Sequence, residues 1–152
     1  MTAAHRRPRI VDVAFWSWMV AAVLLVIGGG VGPLLLVSFD TVRRATPNTV
    51  TDAQLHRELM FHRGAWFICL LLGLVIPYLA ARARHGDRRF RRAAVALSMA
   101  AAIFVALCGL FRLVTLEALL AIIPLIIGAG LITRPAANAW FDAVDPAGAG
   151  DG

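Results

Sequence analysis

The chain has 152 residues, of which 60% are hydrophobic and 16% charged, and its mean hydropathy is +0.77. A water-soluble domain of this size needs more polar surface, so the composition excludes an ordinary globular fold and makes a bilayer the expected solvent. The net charge of +6 comes with fifteen arginines and no lysine. These arginines gather at the ends of apolar runs, where topology and headgroups call for them, which argues against nucleic acid as a partner.

In chain order, a basic N-terminal segment (1–13) precedes a first apolar run over 14–39 that carries no charge until its end. A run of about 26 residues rises about 39 Å as helix, enough to span with tilt. His5, Arg6, Arg7 and Arg9 look like the n-region of a signal peptide. The run is too long for an h-region, however, and no A-x-A-like site follows, so it is expected to stay as an anchor. Inside it lie Gly28, Gly29, Gly30, Gly32 and Pro33. Gly28 and Gly32 form a G-x-x-x-G pair that lets helix backbones approach closely. The same cluster predicts a kink, the kind of hinge that lines a path in transporters. Close packing is the preferred of the two readings.

The outer loop (40–63) contains Thr51-Asp52-Ala53-Gln54, a capping box with Thr51 as N-cap and Gln54 at N3. Leu55, Leu59 and Met60 then recur at helical spacing, so helix is expected to begin outside and lead toward the second span at 64–83. His56, Glu58 and His62 lack the H-x-x-x-H spacing, and no metal site is expected there. A basic loop (84–92) follows. Arg82, Arg84, Arg88, Arg89, Arg91 and Arg92 serve topology on one reading and lipid headgroups on another.

From Ala93 to Thr133 the chain is apolar but for Arg112 and Glu117. About 41 residues as one helix would reach about 60 Å, twice the hydrocarbon thickness, so the segment must fold back where the charges stand. The third and fourth spans are placed at 93–112 and 116–133, and a tail (134–152), disordered at its end, follows. Glu117 is a candidate ion site, although a solvated turn charge is the preferred reading. Cys69 and Cys108 lie at similar depth in their spans and form a candidate disulfide, with small apolar packing as the preferred role. Asp12 is placed to cap the first span through the helix dipole.

Ten arginines fall on the side of the termini and the 82–92 stretch, and five on the other. By the positive-inside rule both termini are cytoplasmic. The fold class expected is therefore all-α: an integral membrane bundle of four transmembrane helices, N-in and C-in. No nucleophile elbow, P-loop, H-E-x-x-H or CxxC occurs, so neither enzymatic activity, cofactor nor metal is expected.

Three segments resemble a group of uncharacterised small four-helix integral membrane proteins of actinobacteria. They are Ala14-Phe15-Trp16-Ser17-Trp18, the stretch Gly86-Asp87-Arg88-Arg89-Phe90-Arg91-Arg92, and Arg134-Pro135-Ala136-Ala137-Asn138-Ala139-Trp140-Phe141. The resemblance implies a four-span layout and a multi-pass place in the bacterial plasma membrane, not a mechanism. The leading functional expectation is a non-enzymatic interaction or accessory subunit whose partners are membrane lipids and either further copies or a membrane protein. A small oligomeric transporter or channel is the alternative, although its first span lacks the deep acidic residue that small drug exporters generally need.

Overall fold

The computed structural model describes residues 8–45 and 50–144, and among these the chain is all-helical, with no strand. Arg6, Arg7 and the tail end where disorder was expected lie outside the described residues. Helix α1 runs Arg9–Leu36, α2 Phe39–Ala45, α3 Asp52–Ala83, α4 Arg88–Leu110, α5 Leu116–Ile132 and α6 Pro135–Val144. Three of them, α1, α3 and α4, are long and apolar enough to cross a membrane, at 28, 32 and 23 residues. Helix α5 is also apolar but shorter, with 17 residues.

Helix starts follow from capping chemistry. The box at α3 is complete: Thr51 Oγ1 accepts from the Gln54 amide, and the Thr51 amide donates to Gln54 Oε1 at 3.1 Å. As a result α3 begins at Asp52, well before the apolar run at 64. Asp87 caps α4 by accepting from the amides of Arg89 and Phe90. The turn between α3 and α4 passes through Gly86 at φ 94°, a left-handed position suited to glycine.

The α4–α5 turn occupies residues 111–115. The amides of Arg112 and Leu113 donate to the carbonyls of Gly109 and Cys108, at 3.0 and 2.8 Å. That pairing is a Schellman ending, whose left-handed residue is usually glycine. Here it is Arg112, at φ 55°.

The long helices pack as a ring in the order α1, α3, α4, α5, with α5 returning to α1. Neighbours run antiparallel: Gly28, late in α1, meets Glu117 at the start of α5, while Trp18, early in α1, meets Gly128. Buried positions on α1 (Ala14, Trp18, Ala21, Leu25) recur every three or four residues, as one helix face requires. Inward positions elsewhere are mostly small, among them Ala80, Ala94, Ala101, Ala118 and Ala121. Small residues let backbones close up, which is the packing available where the surroundings are as apolar as the side chains. Large apolar residues such as Val20, Leu74 and Ile103 face outward. At the end of the ring where α1 starts, Arg84 bonds Asp12 at 3.0 and 3.1 Å and lies over the Phe15 ring at 4.6 Å. Asp12 does stand in the first turn of α1, but it also ties α1 to the end of α3.

Candidate functional site

The most irregular backbone lies in α1, where Leu25–Val31 is wound as π-helix. The Gly32 amide donates to the carbonyl of Ile27, five residues back. In that register the Gly28 carbonyl would take the amide proton of residue 33, and proline has none. Thr115 fills the vacancy. Its hydroxyl donates to Gly28 O at 2.7 Å, while the same oxygen accepts from the Ala118 amide as the N-cap of α5. One threonine thus starts α5 and completes the hydrogen bonding of α1.

The glycines divide their labour. A side chain on Gly28 would begin 2.6 Å from Glu117 Cβ and 2.9 Å from the Ala118 amide nitrogen, so Gly28 admits α5. On Gly29 it would begin 2.8 Å from Cys69 Cβ, and on Gly30 3.0 Å from Leu70 Cβ, so these two admit α3. Gly32 meets no neighbouring helix; a Cβ there would strike the Ile27 carbonyl of its own π-turn at 2.6 Å. The G-x-x-x-G pair is therefore not one interface, because the π-turn rotates its second glycine away from the first.

Cys69 and Cys108 are both buried free thiols, not a disulfide. Cys69 faces α1: its sulfur lies 3.1 Å from where a side chain on Gly29 would start. Packing against glycine is the role found for it.

Beside the break opens a cleft of about 440 Å³. Helix α1 contributes Ile27, Leu36 and the broken turn, while Val37, Trp66, Thr115 and Glu117 complete the lining. Among the described residues Glu117 is the one charged side chain that lines it. Trp66 is 5% exposed, and its indole N–H donates to Leu113 O at 3.0 Å, pinning the α4–α5 turn to α3. Trp66 and Val37 also border a smaller cavity of about 170 Å³, which reaches Glu58 and His62. Those two in turn border a third, of about 450 Å³, with Phe111 and Arg112.

His62 and His56 each place Nδ1 against the carbonyl four residues back, Glu58 O at 2.8 Å and Asp52 O at 3.0 Å. They lie along their own helix and converge on no common point. Among the described residues no group of three metal-binding side chains occurs. At the other end of the ring, Arg82 lies 5.8 Å from the Tyr78 and Phe90 ring centres, and Arg84 is held by Asp12. Arg88, Arg89, Arg91 and Arg92 occupy the opening turns of α4.

Sequence reasoning missed Thr115 and Trp66. Thr115 carries a readable signal, a threonine just before a helix with an acidic first turn. The bond from Trp66 to Leu113 spans 47 positions and leaves no local trace. No protein-family model, curated protein or solved structure matches this chain. What the arrangement offers chemically is binding, since the cleft has apolar walls, one hydroxyl already engaged and one carboxylate.

Proposed function

We propose that the chain is a four-span integral protein of a bacterial plasma membrane, with both ends cytoplasmic, acting as a non-enzymatic interaction or accessory subunit. The observation that carries this reading is the interior of the ring. Among the described residues its interior holds no buried charged side chain; the Ser98 hydroxyl is spent on Ala94 O at 2.6 Å within its own helix, and the Trp18 indole N–H is buried without a hydrogen-bond partner. An interior of this kind offers neither a hydrated path nor an acid–base pair. With small residues inside and large apolar ones outside, the molecule is built to pack against helices and lipid. Helix α5, antiparallel to α1, supplies the fourth span. Its 17 residues rise about 26 Å, short of the roughly 30 Å hydrocarbon core by an amount that local thinning accommodates. The resemblance to actinobacterial four-helix proteins and the ten-to-five arginine count support the layout and orientation.

The π-helical break beside a cleft holding Glu117 favours the second reading, a small oligomeric transporter, because broken helices often border substrate sites. Purification of the tagged full chain from native membranes in mild detergent, followed by native mass spectrometry, separates the two. A stoichiometric foreign subunit is the expected result. A homo-oligomer that carries solute flux after reconstitution overturns the accessory reading.

A further inference from the structure

We infer that the cleft between the broken turn of α1 and the start of α5 binds an amphiphile with an ammonium head, its apolar body in the cleft and its head at Glu117. The inference rests on the membrane placement proposed above and not on the accessory role. Small-molecule sites are concave, mostly apolar and about 300–1,000 Å³ in volume, with a few polar groups that fix orientation. This cleft, at about 440 Å³, has that make-up. Its walls offer Ile27, Leu36, Val37 and the Trp66 ring. Of its two polar side chains, the Thr115 hydroxyl serves Gly28 O and also hydrogen-bonds the Glu117 carboxylate, and that carboxylate is the group that sets ligand charge.

The sign of that charge selects the ligand. An anionic head would meet a carboxylate with no neighbouring cation in the cleft, since Arg112 lines a different cavity with Glu58 and His62. A neutral chain would fill the walls and leave the carboxylate unused. An ammonium head on an apolar body satisfies both features at once. The broken turn borders the cleft through Gly28, Gly32 and Pro33, and Pro33 stands in the first turn of the helix that continues to Leu36.

Two photoreactive probes test this on the full chain in uncharged maltoside micelles at pH 7: a dodecylamine with a diazirine near its chain end, and the matching alcohol. Recovery of a monodisperse particle tests membrane-protein behaviour separately from the labelling. The amine is expected to label Ile27 and Leu36 about twofold more than the alcohol, the scale of one exposed carboxylate–ammonium pair. Outward-facing Leu74, away from the cleft, should take both probes alike. Glu117→Gln, at an exposed position, should bring the ratio at Ile27 and Leu36 to one. Val37→Trp, which narrows the cleft and keeps the carboxylate, should lower labelling by both. Equal labelling by amine and alcohol in the unmodified protein would mean that the cleft takes any acyl chain, and would overturn the inference. A preference that survives Glu117→Gln would overturn it as well.

Discussion

Arg112 holds a left-handed backbone, φ 55°, at the end of α4, where a side chain crowds the following carbonyl. Glycine has no such penalty but loses more freedom on folding, so the two effects oppose each other. The left-handed strain, about 1–2 kcal/mol, exceeds the glycine entropy term of about 0.5–1 kcal/mol. Arg112→Gly is therefore expected to raise the melting temperature of the detergent-solubilised protein by about 2–4 °C, as about 1 kcal/mol does in a chain of this size. Arg112→Ala keeps the strain while removing the guanidinium, and should give no such rise. If both variants gained equally, loss of charge and not relief of the backbone would be the cause. The same residue explains why the α4–α5 turn was hard to place from sequence. The fold-back was legible, because 41 apolar residues exceed one span and the two charges within them mark the reversal. The turn itself was not, because its usual punctuation is glycine or asparagine and an arginine stands there.

At the scale of the element, the break in α1 and the start of α5 form one unit joined by a hydroxyl. Pro33 withholds the donor that the Gly28 carbonyl would use in the π-register, and Thr115 supplies another at 2.7 Å. Thr115→Val is expected to cost about 1–2 kcal/mol, through an unsatisfied carbonyl and a lost N-cap. Pro33→Ala restores an amide at residue 33, so the carbonyl no longer depends on the threonine. In the double variant the valine substitution should therefore cost about 1 kcal/mol less than it does alone, as a double-mutant cycle on thermal or denaturant unfolding would register. Strict additivity would mean that the threonine acts only as a cap. The glycine–proline cluster was legible as a place where the helix must bend, and the capping box at Thr51 and Gln54 was legible in full, because both depend on residues close in sequence. The partner of the break was not, because Thr115 lies 87 positions from Gly28. Nor was the π-register, which turns Gly32 away from the interface that its spacing with Gly28 suggests.

For the whole molecule, the proposed orientation rests on arginine asymmetry, and that asymmetry is concentrated in one place. Arg88, Arg89, Arg91 and Arg92 supply four of the ten arginines on the proposed inner side, against five outside. Replacing all four with glutamine leaves six against five, too small a bias to fix direction. The expected result is a mixed population, with the α4–α5 hairpin inserted both ways. Accessibility of a single cysteine placed at residue 113 to an impermeant thiol reagent in spheroplasts, in a background without Cys69 and Cys108, measures it. Loss of helix would not account for such a result. A cation at the positive end of the α4 dipole is unfavourable by about 0.3–1 kcal/mol at an exposed position such as Arg89, so glutamine there does not weaken the start of the helix. Arg82 and Arg84 stay in place, the one between Tyr78 and Phe90 and the other on Asp12, so the end of α3 keeps its ties to α4 and α1. Anionic lipid retained through purification gives a second readout on the same variant. A fixed topology with reduced lipid retention would move the role of these arginines from insertion to headgroup binding, and would remove the main support for cytoplasmic termini.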